Sequence, residues 1–376
     1  MLNQKIISAE KKYTAFNKYL SNINAKKIFL IHGNSFYKLP VANFFDSLKI
    51  NVVHFKDFKP NPDYESVKKG VEVYRENNCD VVIAIGGGSA IDVAKCVKLF
   101  ANMKSGADYL QEKIFPNDVP LIAVPTTAGT GSESTHFAVI YRDGKKISVA
   151  DSSALPCAIM LDSSALKFLP DYQKKAGLLD ALCHALEASW SVQSCDVAMA
   201  FAYEAIRLIY AEKNFYIDAD SSDTCRANML YASRLAGMAI NLAKTTAGHA
   251  LSYKLTSTFG ISHGHAAALC VARVWKYMHK NLNRAVNEDI AEILPQIFNQ
   301  LAACMGFDDV DAAIDDLQKL LTNWNLAAPL KDNFSDEEIL ELTNSVNVER
   351  LGNNPVRLDN DAIKIIYEKI LKGEFF

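Results

Sequence analysis

The chain has 376 residues, 49% apolar and 22% charged. That is the balance of a folded protein with a large core, not of a disordered, fibrous or disulfide-framework chain, and at about 100–200 residues per domain it allows two or three domains. Forty Lys and Arg against 43 Asp and Glu leave a formal charge of −3, so no basic field draws in a polyphosphate chain and nucleic acid is not an expected partner.

Eight scattered cysteines form no C-x-x-C pair, which fits a reducing cytoplasm. No apolar leader follows Met1, and every apolar run is broken well short of the roughly 18 residues a membrane span needs. Neither export nor a membrane partner is expected.

In chain order, residues 27–33, 51–55, 79–85 and 121–124 read as short buried strands, and 63–78 reads as a helix. Residues 137–141 and 147–150 flank the turn Arg142-Asp143-Gly144-Lys145 and read as a hairpin. From about residue 163 the texture changes. Ala, Leu and Met recur at helical spacing through 176–190, 197–210, 225–242 and 289–305. The expectation is an α/β dinucleotide-binding domain over 1–162 and an all-helical, metal-binding domain over 163–376, with no flexible linker between them.

The strand ending at Ile85 runs into Gly86-Gly87-Gly88-Ser89 and then into an amphipathic helix. Residues without side chains at a helix N-terminus let backbone N–H groups and the positive end of the helix dipole approach a pyrophosphate. The spacing is neither G-x-G-x-x-G nor a Walker loop, so a tight strand-to-helix turn remains the alternative. A second loop after a strand, Pro125-Thr126-Thr127-Ala128-Gly129-Thr130-Gly131-Ser132-Glu133, offers hydroxyls and glycines for a ribose or phosphate.

Asp180 and His184 stand at i and i+4 of a helical pattern, and so share a face. Such a pair alone is more often a helix-surface hydrogen bond than a pair of metal ligands. His249 and, in Ser262-His263-Gly264-His265, two more histidines lie among small apolar residues, where an unpaired imidazole is costly. A carboxylate with three imidazoles suits Fe, Zn, Ni or Co rather than Mg or Ca.

The Gly86 to Ser89 turn with Asp92 and Lys95, the 125–133 loop, and Asp180, His184, His249 and His263, in this order, resemble the iron-containing (group III) alcohol dehydrogenase family over nearly the whole chain. The resemblance implies the dehydroquinate synthase-like fold of that family: an α/β domain, an all-α domain and a cleft between them. It carries Asp180, His184, His249 and His263 over as ligands of Fe(II) or Zn(II), and Gly86, Gly87, Gly88, Ser89, Thr126, Thr127 and Lys146 as contacts of NADP(H) or NAD(H). Asp92, Thr130 and Ser132, in the same motifs, and Gly33 complete the candidate cofactor set.

Two departures from the family pattern stand out. Members preferring NAD often carry an acid at the position Gly33 fills, which points here to NADP(H). Many members also carry a histidine four residues after the third ligand, where this chain has Tyr253, so Tyr253 or His265 is the candidate proton relay.

The implied reaction is reversible hydride transfer between nicotinamide and an aldehyde polarised by the metal, with reduction favoured by cellular NADPH. Within the family, the segments around His136, Trp190, Lys244 and His263 resemble phosphonoacetaldehyde reductases, which make 2-hydroxyethylphosphonate in phosphonate biosynthesis. Lys244, with Thr245 and Thr246, is then the candidate anion contact, against the alternative of a solvated helix-end lysine; Arg273 and Arg357 are further candidates. Other readings are an iron-type dehydrogenase acting on another small aldehyde or polyol, a dehydroquinate-synthase-like lyase or cyclase, and a dinucleotide sensor. A homodimer is implied by the resemblance.

Overall fold

The computed structural model describes residues 4–327, 333–346 and 351–376, so Met1 to Asn3, where a leader would begin, lie outside the described residues. The chain divides into two compact units. One is Met1–Pro170 with Asp220–Arg234, the other Asp171–Ala219 with Leu235–Phe376.

The first unit contains β1 (Lys5–Ser8), α1 (Glu10–Asn22), β2 (Lys27–His32), α2 (Pro40–Ser47), β3 (Asn51–Phe55), α3 (Tyr64–Glu76), β4 (Val81–Gly86), α4 (Gly88–Phe100), β5 (Leu121–Pro125), β6 (Phe137–Arg142), β7 (Lys145–Ala150) and β8 (Ala158–Leu161). Six strands form a parallel sheet in the order β1-β8-β5-β4-β2-β3. Its central strands are apolar on both faces because each face has its own core. Phe29, Ile31, Val82 and Ala84 pack on one side, while Ile28, Leu30, Val81, Ile83 and Ile85 pack on the other. The hairpin β6–β7 turns on Asp143 and Gly144, with φ of 51° and 72°, the left-handed pair that a two-residue turn requires.

β4 neighbours β2 on one side and β5 on the other, and the chain changes direction across the sheet there. Such a switch point leaves a crevice outside the carboxyl ends of the strands. The pairing Gly86↔Pro125 puts the glycine turn and the second loop side by side at that crevice.

The second unit is helical: α5 (Asp171–Trp190), α6 (Asp196–Ile217), the later part of α7 (Asp223–Ala243), α8 (Ala247–Phe259), α9 (His263–Lys280), α10 (Glu288–Met305), α11 (Val310–Asn323), α12 (Asp336–Asn344) and α13 (Asn360–Lys372). From Ala176 onward α5 is buried almost all round, enclosed by α6 and α9. Gly264 permits the closest approach: a Cβ there would lie 2.0 Å from the Ala176 carbonyl oxygen and 2.6 Å from Asp180 Cβ. No described helix is long and apolar enough to cross a membrane.

Candidate functional site

Three helices bring the candidate ligands together. α5 carries Asp180, His184 and Glu187 at i, i+4 and i+7, one face of one helix. His249 is the third residue of α8, and His263 the first of α9. Asp180, His184 and His249 are buried, and each offers a ligand atom within 4.8 Å of the others. The His184 and His249 rings stack at 4.4 Å, and the His263 ring lies 5.2 Å from that of His249.

Asp180 Oδ1 and His249 Nε2 face each other at 3.6 Å, and neither has a hydrogen-bond partner. Two such buried atoms without partners are costly unless a cation lies between them. Asp180, His184 and His249 therefore fit a divalent ion, and a carboxylate with two imidazoles suits a borderline transition metal; His263 stands beside this group rather than within it.

Glu187, which the sequence reading passed over, completes this arrangement. It is fully buried, and its Oε2 accepts from His249 Nδ1. Its Oε1 accepts from Thr246 N at 3.1 Å, Thr246 Oγ1 at 2.7 Å and His249 N at 3.2 Å. A carboxylate on Nδ1 leaves Nε2 as the metal-facing nitrogen. The readable signal was the carboxylate seven residues after Asp180 on an otherwise apolar helix face.

Electrostatics in the cluster run against burial. Burial would raise the Asp180 carboxyl and lower His249. Instead the neighbouring imidazoles, His184 foremost, hold Asp180 well below the carboxylate range, and Glu187 and Asp180 raise His249 to about 9.

The cofactor candidates lie in the first unit. A Cβ on Gly87 would meet the Thr127 side chain at 3.3 Å, and one on Gly88 would meet that of Thr130 at 3.0 Å, so the two loops touch. Thr126 N donates to Gly86 O at 3.0 Å, and Ser89 Oγ accepts from Asn61 N at 3.3 Å.

Asp92 and Ser132 are bonded to each other. Asp92 accepts from Ser132 Oγ at 2.6 Å and Val139 N at 2.9 Å. Lys95, fully buried and pushed down to about 8 by that burial, donates to Ser132, Thr135 and the Phe137 carbonyl. These three residues tie α4 to the segment entering β6. Lys146 sits on β7 opposite Tyr141. At Gly33 a Cβ would meet no heavy atom within 4 Å.

Among the catalytic candidates, Tyr253 lies one turn beyond His249 with its ring stacked on His263 at 5.6 Å. Both His265 nitrogens are engaged: Nε2 donates to Leu326 O at 2.7 Å, so Nδ1 accepts from Tyr172 OH at 3.1 Å. Lys244 is exposed at the end of α7, with φ of 60°. Arg273 is buried on the carbonyls of Leu269, Lys369 and Glu374, and Arg357 reaches Val286 O at 3.2 Å. Trp190 Nε1 donates to Thr246 Oγ1 at 3.0 Å.

Residues 3–163 match the family described as iron-containing alcohol dehydrogenase, and 175–371 match the Fe-containing alcohol dehydrogenase family, C-terminal. The chain belongs to the iron-containing alcohol dehydrogenase family. It is 30% identical over 374 residues to the NADPH-dependent butanol dehydrogenase of Clostridium saccharobutylicum, covering 94% of each chain. It is 31% identical over 325 residues to the phosphonoacetaldehyde reductase of Streptomyces viridochromogenes, covering 83% of this chain and 80% of that one. The sulfoacetaldehyde reductase of Bifidobacterium kashiwanohense, solved with NAD+, superposes with a TM-score of 0.88 at 28% identity over 98% and 97% of the two chains. The chain is accordingly a nicotinamide-dependent oxidoreductase acting on CH–OH and aldehyde groups, which answers the lyase and sensor readings kept open by the sequence.

Proposed function

We propose that this iron-type dehydrogenase is an NADP(H)-dependent reductase of phosphonoacetaldehyde, working in a reducing cytoplasm. Bound at Asp180, His184, His249 and His263, a divalent ion such as Fe(II) or Zn(II) supplies Lewis acidity to the aldehyde oxygen, and the nicotinamide supplies the hydride. Glu187 holds His249 in the tautomer that can ligate. Tyr253, stacked on His263, is the proton relay to the new alcohol. The glycine turn and the Thr126 to Thr130 loop hold the pyrophosphate and adjoining ribose.

The observation that carries the substrate reading is the segment Lys244-Thr245-Thr246. A non-glycine residue in the left-handed region costs about 1 kcal/mol or more, and such strain gathers at functional sites. Here it presents an exposed ammonium two residues before Thr246, which is bonded to Glu187 and through it to His249. A cation five residues before His249 in the chain is the candidate partner for the anionic tail of a short aldehyde. The sulfo- and phosphonoacetaldehyde reductases among the relatives act on aldehydes of that kind by name.

NADPH oxidation with phosphonoacetaldehyde, sulfoacetaldehyde and butanal tests this reading. Lys244→Ala should raise KM for the two anionic aldehydes about tenfold or more, as loss of a charge-assisted contact does, and leave that for butanal unchanged. Equal effects on all three would overturn the anion contact.

The coenzyme reading rests on Gly33. Open space around its Cα lets Gly33→Asp be built without collision. The new carboxylate should raise KM for NADPH at least about tenfold by repelling the 2′-phosphate, and should lower KM for NADH by accepting from the ribose hydroxyls.

A further inference from the structure

The carboxyl ends of β2 and β3 hold a chain of polar contacts that hydride transfer does not use. His32 pairs with Ile85 in the sheet, so Gly33 follows level with Gly86, the first residue of the glycine turn. β3 is the next strand out, with His54 beside Leu30. Its following loop is held to that turn through Asn61 N and Ser89 Oγ. A nucleotide whose pyrophosphate sits on the turn therefore runs its adenosine ribose across the end of β2 towards β3.

Elementary donor and acceptor logic fixes the imidazoles there. His32 Nδ1 lies 3.0 Å from Gly33 O, and a carbonyl only accepts, so Nδ1 carries the proton. His32 is fully buried, sandwiched against Phe36 at 4.3 Å. In its neutral form Nε2 must then accept, and its partner at 2.9 Å, His54 Nδ1, must donate. The exposed His54 ring is left with Nε2 as its one remaining site for a proton.

We propose that His54 Nε2, held in this tautomer by His32, takes up a proton to donate to a phosphomonoester on the adenosine ribose, making His54 a specificity residue for the 2′-phosphorylated coenzyme. The inference deepens the coenzyme reading above and rests on it. A phosphate dianion has acceptors only, so it needs an N–H where a neutral imidazole offers a lone pair.

The surrounding charges favour a response to the ligand. Partial burial and Lys56, the residue after β3, keep His54 below its ordinary value, Asp46 of α2 opposes them, and His32 of β2 is held neutral. Lys56, 5.4 Å above the Tyr37 ring, is a second cation at the same edge. A 2′-hydroxyl brings no charge, so it draws no proton to His54.

Calorimetry on the metal-loaded enzyme at about pH 7.5 tests this, using 2′,5′-ADP and 5′-ADP in two buffers of different ionisation heat. The expected result is uptake of close to one proton with 2′,5′-ADP and none with 5′-ADP. His54→Gln, a change at an exposed ring, should abolish the uptake and weaken 2′,5′-ADP about tenfold while leaving 5′-ADP unchanged. Proton uptake that persists in the variant, equal weakening of both nucleotides, or no uptake in the parent would overturn the assignment. Preference for NADH in turnover, with the 2′,5′-ADP result intact, would instead remove the coenzyme reading and leave the His54 contact standing.

Discussion

Chelation of the divalent ion should abolish NADPH oxidation, with recovery on adding Fe(II) or Zn(II), and should expose a pH-dependent stability that the loaded protein lacks. Without a metal, the proton on His249 compensates Glu187 and, with His184, Asp180. The folded value of about 9 against an ordinary 6.5 means this contribution is complete below pH 6.5 and is lost as pH rises through 9. For a buried group the shift corresponds to roughly 3 kcal/mol. Asp180 and Glu187 are displaced downward, so their contribution is complete above the ordinary carboxylate range and is lost as pH falls below it. The stripped protein should therefore melt highest between about pH 5 and 6.5 and fall several degrees by pH 9. The loaded protein should hold its Tm over the same upper interval. Thermal melts of both forms decide it: equal alkaline loss would show that His249 does not hold the compensating proton.

Glu187→Gln should weaken metal binding about 10- to 100-fold, the usual effect of losing the partner of a ligating histidine. The variant is isosteric, so volume does not enter. Its amide oxygen can keep the three bonds from Thr246 and His249 N, but its NH2 then points at His249 Nδ1. Two donors cannot face each other, so the imidazole proton moves to Nε2 and the ligating lone pair is lost. Rotating the amide frees His249 only by turning the NH2 onto the Thr246 donors. Competition with a chromophoric chelator measures the affinity, and the Co(II) absorption spectrum reports whether the remaining ligand geometry changes. Unchanged affinity would mean that Glu187 serves packing alone.

Much of the site was legible because its signals are local. A glycine run between a β-rich strand and an amphipathic helix places backbone donors without help from distant residues. Asp180 and His184 share a face by helical pitch alone. The same pitch puts Glu187 on that face, but nothing local says that its partner is His249, 62 residues further on. In the sequence His265, two residues after His263, and Tyr253, four after His249, are alternative proton relays. The bonds of His265 to Leu326 and Tyr172 come from segments that spacing does not connect. The four-residue strands β1 and β8 were likewise too short to show a period; they exist because they pair with each other and, for β8, with β5.

By itself the sequence determined the type of the elements with a clear period, the change from α/β to helical texture near residue 163, and which residues have metal- or phosphate-binding chemistry. These follow from side-chain identity and backbone period, which act over a few residues. Only the tertiary structure decided that Asp180, His184 and His249 meet, that Glu187 sets the tautomer of one of them, and that Asp92 and Ser132 bond to each other. Those outcomes depend on how closely helices and strands far apart in the chain can approach. Here Gly264, which removes one side chain between α5 and α9, sets that distance.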